Sequence, residues 1–217
     1  MKSILLVGLG RFGCYVAKAL DEQGDEVMAI DRDEEKVNNS LKFVTNAIIG
    51  DSTNERFVES LGVSNFDLCI VAIADDFQSS LETTALLKDS GAKYVLSRAS
   101  DDSQAKFLLR NGADEVVFLE KQMAEWTAIK YSNDNIFDYM ELSDEYAIYE
   151  TPMPKSWVGK TVVELEVRKR HNINILGTKK EGKLTPLNGV GHVFSEKENL
   201  LLLGSKLDMQ SFLKKNL

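Results

Sequence analysis

The chain is poor in the residues that mark specialised protein classes: its 217 residues include two cysteines, three prolines, two histidines and two tryptophans. Cys14 and Cys69 have neither C-x-x-C spacing nor a companion histidine cluster, which argues against a disulfide framework or a zinc site. Both read as small buried fillers, although Cys14 falls at a helix start, where a thiolate is favoured. No apolar run approaches the roughly 20 residues that span a bilayer. Met1-Lys2 followed by Ile4 to Leu9 imitates a signal peptide, but Arg11 interrupts it and a buried first strand fits better. The expectation is a cytoplasmic protein. Excess positive charge is absent too: a net charge of -8 and a pI near 4.9 argue against nucleic acid or an anionic lipid surface as the main partner. With 43% hydrophobic and 28% charged residues, the composition fits a soluble globular chain, long enough for two small domains.

What is present begins at the N-terminus. The apolar run Ile4-Leu5-Leu6-Val7 leads into Gly8-Leu9-Gly10-Arg11-Phe12-Gly13, and Asp31 closes the next apolar stretch, Glu26 to Ile30. Strand, three spaced glycines, an amphipathic helix with Phe12, Val16 and Leu20 on one face, and an acid about 20 residues on form a dinucleotide-binding signature. The glycines suit a tight turn, close backbone approach to phosphate and close helix packing, and the helix start offers free N–H groups and a positive dipole end. Asp31 can accept both hydroxyls of an adenosine ribose, and Arg32 follows it in the same turn. The plainer alternative is a glycine-rich turn of structural use alone.

Similar units recur at Ala47-Ile48-Ile49, Leu68 to Ile73, Tyr94-Val95-Leu96 and Glu115 to Phe118, with helical patterns between them, which predicts a parallel sheet under helices on both faces. Ser52-Thr53-Asn54-Glu55 has the form of a capping box, and Gly62, Gly91 and Gly112 mark helix ends. The pattern changes at the polar cluster Tyr131 to Asn135. The expected organisation is α/β: a doubly wound parallel-sheet Rossmann domain over residues 1–132, then a small α+β lobe over 133–217. That lobe is expected to hold strands near Asp138 to Leu142, Ala147 to Thr151, Ile173 to Thr178 and Leu200 to Leu203, one helix from about Thr161 to Arg170, and a short terminal helix.

The carboxyl edge of such a sheet is where ligands bind. It would carry Asp51 and Ser52 after the third strand, Ala72, Ile73 and Ala74 after the fourth, and Arg98 after the fifth. Asp75 and Asp76 read equally well as helix caps. Arg11 could grip extra phosphate charge, as in ADP or ATP, or be simply solvated. Glu120, after the sixth strand, is a candidate for a shared cation or an ordinary helix-start carboxylate. His171 and His192 stand in no acid–base or metal motif, so the second lobe offers no recognisable proton donor for hydride chemistry. A nucleotide sensor is favoured over a catalyst; an NAD-dependent oxidoreductase or a redox sensor is the alternative.

Taken together, Gly8 to Gly13, Ala29-Ile30-Asp31, Gly50-Asp51-Ser52-Thr53, Val71-Ala72-Ile73, Gly112-Ala113-Asp114 and Glu120-Lys121 resemble the RCK, or KTN, domains that regulate potassium transporters and channels. Gly159-Lys160, Glu164-Leu165, Val167-Arg168, Pro186 and Leu200 to Gly204 are similar to the RCK C-terminal lobe, so the likeness covers nearly the whole chain. It is nearest to the cytosolic regulatory subunits of Ktr-type uptake systems. The resemblance implies ATP, ADP or NAD(H) in the N-lobe and a dimer assembling into an octameric ring, docked on a membrane potassium-translocating subunit. It also implies that Arg11 reaches a terminal phosphate across the dimer, and that Glu120 lies near Mg2+ or Ca2+ between nucleotides. Val162 to Arg168, followed by Asn174-Ile175-Leu176, is similar to the Ktr-type pattern for cyclic di-AMP, with Glu166 where aspartate is usual. That likeness assigns Arg168 to phosphate, Asn174 and Ile175 to adenine, Val163 to the lining and His171 to the ligand edge. The alternative is an amphipathic helix with Val162, Val163 and Leu165 in the core.

Overall fold

The computed structural model describes residues 1–217, which divide into two compact units, Met1–Lys121 and Gln122–Leu217. The first alternates strand and helix: β1 (Ser3–Val7), α1 (Arg11–Glu22), β2 (Glu26–Asp31), α2 (Glu34–Ser40), β3 (Asn46–Ile49), α3 (Glu55–Ser60), β4 (Leu68–Val71), α4 (Phe77–Asp89), β5 (Val95–Arg98), α5 (Asp102–Arg110) and β6 (Glu115–Val117). The six strands are all parallel, in the order β3-β2-β1-β4-β5-β6. Alternate residues of β1 enter different apolar layers, Leu5 and Val7 with Val58 and Leu87, Ile4 and Leu6 with Ala17 and Val37. Because both faces are covered, the strand reads as a continuous apolar run. Strand order reverses between β1 and β4, which opens a crevice at their carboxyl ends.

The expected capping box at Ser52–Glu55 is not formed. Asn54 caps α3, accepting the Phe57 N–H at 3.2 Å, while the Ser52 hydroxyl turns inward to hydrogen-bond Thr83 at 2.7 Å.

The helix α6 (Leu119–Tyr131) runs across the division between the units. The expected boundary after residue 132 gives all of α6 to the first domain. The division instead falls at Lys121, because Trp126 and Ile129 pack on the second unit's core and the Trp126 indole N–H donates to Tyr139 O at 3.0 Å.

Beyond α6 lie β7 (Asp138–Glu141), β8 (Tyr146–Pro152), α7 (Val162–Leu165), α8 (Val167–His171), β9 (Asn174–Lys180), β10 (Lys183–Pro186), β11 (Asn199–Ser205) and α9 (Lys206–Asn216). Their antiparallel sheet has the order β10-β9-β11-β8-β7, and its core gathers Trp157, Ile173, Phe194, Leu200, Leu202 and Phe212. Strand β10, which hydropathy does not signal because all four of its residues are exposed, pairs with β9 through the turn at Glu181-Gly182. The single helix expected over Thr161–Arg170 is two short ones, since Glu166 adopts a left-handed conformation (φ 46°, ψ 39°) and breaks the hydrogen-bond ladder. Within α7, Leu165 is buried but Val163 is exposed, so Val163 is not a core residue.

Candidate functional site

The glycine motif divides its labour among three positions. Gly8 has φ +98°, a conformation L side chains rarely adopt, and a Cβ there would stand 3.1 Å from the Ala72 carbonyl carbon. A Cβ on Gly13 would stand 2.0 Å from Gly8 O, so α1 packs this closely on the turn only without a side chain there. Gly10 is extended (φ -67°, ψ -177°), and a Cβ on it would meet nothing within 4 Å. It caps α1 without a side-chain acceptor, and the Cys14 N–H is the one that donates to Gly10 O, at 2.9 Å. Open space, unpaired first-turn N–H groups and the positive end of the helix dipole therefore coincide at Gly10, an arrangement suited to phosphate.

Asp31 is tied to this turn. Its Oδ2 accepts the Leu9 N–H at 2.7 Å, its Oδ1 accepts the Asp33 N–H at 3.0 Å, and the Lys36 ammonium lies 3.9 Å from Oδ2. The two oxygens have acceptor sites left over for hydroxyls. A cleft of about 170 Å³ lies at this edge of the sheet, formed by the loops after β1, β2, β3 and β4. Of the residues expected there, Gly8, Gly10, Asp31, Arg32, Ser52, Ala72, Ile73 and Ala74 line it.

The other expected residues lie outside the cleft wall. Arg11 is exposed as the first residue of α1 and makes no ion pair, and Phe12 packs against the α1 face of the sheet. Gly13 is buried behind the turn. Asp51 accepts the Thr53 hydroxyl at 2.7 Å and its N–H at 3.0 Å, bonds that hold its carboxyl below the ordinary value. Arg98 donates to Glu120 Oε1 at 2.8 Å and stacks over the Phe12 ring at 5.8 Å, while its Nε is buried without an acceptor. Glu120 lies below the ordinary carboxylate range through its own backbone N–H at the start of α6, then through Arg98. No group of three or more His, Cys, Asp or Glu residues is placed to hold a metal ion.

Asp75 and Asp76 also line the cleft, and the capping reading holds for Asp76 at the same time. It caps α4 by accepting the Ser79 N–H at 3.1 Å, and it lies 3.8 Å from the Arg32 guanidinium across the cleft. Sequence reasoning missed Lys36. The available signal was Asp33, which caps α2 by accepting the N–H groups of Glu35 and Lys36 and so places Lys36 in the first helical turn, beside Asp31.

In the second unit, an open groove of about 500 Å³ brings Val163, Arg168, Asn174 and Ile175 together with Glu166, Lys169 and Val190. His171, assigned to the ligand edge, is elsewhere: it packs edge-on against Phe212 (5.3 Å between centroids) and beside Trp157. Burial, then the charges of Lys215 and Arg170, lowers its pKa. Cys69 is a buried filler whose thiol is pushed up to about 12 by burial. No helix is long and apolar enough to cross a membrane.

Fold and cleft define a dinucleotide-fold lobe joined to a small α+β lobe. Residues 4–119 match the TrkA-N domain and residues 146–216 the TrkA-C domain. The chain is 39% identical over 216 residues to Ktr system potassium uptake protein C of Bacillus subtilis (strain 168), covering 99% of this chain and 97% of that protein. It is 35% identical over 211 residues to potassium uptake protein A of the same strain, covering 97% and 95%. The chain belongs to this TrkA-N/TrkA-C family of Ktr-system potassium uptake proteins, as its motifs led us to expect. Among solved structures, the GsuK RCK domain superposes with a TM-score of 0.70 at 17% identity over 99% of this chain, and the GsuK channel bound to NAD with 0.69 at 18% over 95%. This chain spans 47% and 38% of those chains, and at such identity the likeness is one of fold.

Proposed function

We propose that this chain is a non-enzymatic, nucleotide-sensing regulatory subunit of a membrane potassium transporter, acting on the cytoplasmic side as part of a homo-oligomeric ring. The observation that carries this reading is the cleft that joins an open, dipole-bearing helix start at Gly10 to the acid Asp31 within one parallel-sheet edge. Its chemistry suits an adenine nucleotide: Asp31 for the ribose hydroxyls, the α1 N–H groups for phosphate, and Ala72 to Ala74 as an apolar wall. GsuK structures bound to NAD and to ADP make both ligand classes reasonable for this fold. Arg11, exposed and unpaired, is free to meet a terminal phosphate presented by a second copy.

A cation does not fit a single copy. Glu120 is engaged by Arg98 and stands in no acidic cluster, so Mg2+ or Ca2+ there needs ligands from bound phosphates or a partner chain. Nucleotide can bias the transporter only through its differential affinity for two ring shapes. The second-unit groove, with Arg168 beside an apolar wall, is our candidate for cyclic di-AMP.

Calorimetric titration with ATP, ADP, NADH and cyclic di-AMP in parallel, with and without a divalent cation, tests the reading. It expects ATP or ADP binding with a separate cyclic di-AMP site, and ATP to suffer more than NADH in Arg11→Ala. Exclusive NADH binding would return the oxidoreductase alternative to the front.

A further inference from the structure

A further cavity in the Gln122–Leu217 unit shares no lining residue with the cleft at Gly10 or the groove at Arg168. It has a volume of about 240 Å³ and lies where the end of α6 and the helix α9 meet β8. Its floor is apolar, since Ile136, Met209 and Leu213 are all buried members of this unit's core. An apolar cavity of about 150 Å³ accepts a benzene ring, so this one has room for a ring or a short alkyl chain together with a head group.

Three polar side chains give the cavity its chemistry. Tyr149 is only 5% exposed, yet its hydroxyl has no hydrogen-bond partner, and the Tyr139 ring packs against it at 5.1 Å between centroids. A buried hydroxyl left unpaired is costly, so this one is a donor in want of an acceptor. Burial pushes its pKa up to about 12, and it stays protonated at neutral pH. Lys206 and Lys214 line the cavity from near opposite ends of α9. Lys206 is shared with Glu141, whereas Lys214 is exposed and makes no ion pair. No carboxylate lines the cavity, although the chain as a whole carries a net charge of -8.

From this geometry we infer a binding site for a small amphipathic monocarboxylate, its compact apolar group on the floor and its carboxylate accepting from the Tyr149 hydroxyl beside Lys214 and Lys206. A polyanion would bring more charge than one unpaired and one shared lysine can meet, and it would be desolvated over an apolar floor that offers it nothing.

The test titrates the full chain with phenylacetate and with its uncharged isostere phenylacetamide, read by ligand-observed NMR, in the parent, Lys214→Gln and Tyr149→Phe. Because the Tyr149 hydroxyl has no partner to lose, Tyr149→Phe should melt no lower than the parent, and a loss of affinity in it reports on the ligand. The expected result is saturable phenylacetate binding, tighter than phenylacetamide by about threefold, the worth of pairing with an exposed cation. Lys214→Gln should weaken phenylacetate by about the same factor and leave phenylacetamide unchanged. Tyr149→Phe should weaken phenylacetate by about fivefold through loss of one hydrogen bond. Absence of saturable binding to the folded parent, equal affinity for acid and amide, or undiminished phenylacetate affinity in either variant would overturn the assignment.

Discussion

Gly10 and Gly13 stand three residues apart in one motif, and the structure predicts opposite consequences for the same substitution. A Cβ on Gly13 would lie 2.0 Å from Gly8 O, whereas real Cβ atoms essentially never approach within 3.0 Å, so about 1 Å must be recovered by moving backbone. Because the obstacle is main chain, the cost lies near the upper end of overpacking penalties, about 3 kcal/mol. Replacing glycine in a helix returns about 1 kcal/mol, leaving Gly13→Ala about 2 kcal/mol less stable. For a unit of this size that is a Tm loss of about 8 °C. Gly10→Ala meets no atom within 4 Å and keeps an ordinary φ of -67°. Its unfolded-state gain and its loss as a helix cap are each below about 1 kcal/mol and offset one another. The Gly10 variant should therefore melt within about 2 °C of the parent while losing more than about tenfold in ATP, ADP or NADH affinity, since the new methyl stands where phosphate approaches. Calorimetric titration beside thermal denaturation reads both quantities. Undiminished nucleotide affinity in a folded Gly10→Ala would refute the phosphate placement and leave a turn of structural use alone. An unchanged Tm in Gly13→Ala would refute the packing argument.

Asp31→Ala should weaken every adenine nucleotide by about 1.5–3 kcal/mol, because charge-assisted hydrogen bonds are lost and the Leu9 N–H loses its acceptor; equal ATP and NADH affinities before and after would remove Asp31 from the ribose site. Arg168→Ala should abolish cyclic di-AMP binding and leave N-lobe nucleotide affinity intact, as isothermal titration of both ligands will show, and full retention would sink the groove assignment. His171 carries a pH prediction. Burial among Trp157 and Phe212, then Lys215 and Arg170, depresses its folded-state pKa, so the unfolded chain takes up the proton first as pH falls. Its contribution is complete above the unfolded value near 6.5 and is lost progressively below it, down to the folded value. His171→Phe should flatten the slope of stability against pH below about 6.5 in chemical denaturation series; an identical slope in the variant would show that other groups set it.

Local chemistry made much of the fold readable. The apolar runs became β1 to β6 because a doubly covered parallel sheet demands them, and Gly8 and Gly13 were legible because a left-handed turn and a contact of helix on backbone leave no other residue possible. Asp31 was legible from its spacing to that motif. Strand β10 was not, since its exposed residues carry no burial signal and its place comes from pairing with β9. The break at Glu166 was hidden for a related reason: Val162, Leu165 and Arg168 keep helical spacing straight through the left-handed residue that separates α7 from α8.

The sequence by itself determined the alternation of elements and the chemistry of the glycine turn, which depend on residues close together in the chain, and the membership of the family, which rests on short motifs spread from Gly8 to Gly204. The tertiary structure decided the rest. It brought Arg32 to Asp76, paired Arg98 with Glu120, and drew His171 away from the groove into an aromatic core. Each of these contacts joins side chains from different elements. Their meeting is set by strand order and by the packing of helix on sheet, and periodicity along a single element carries no record of either.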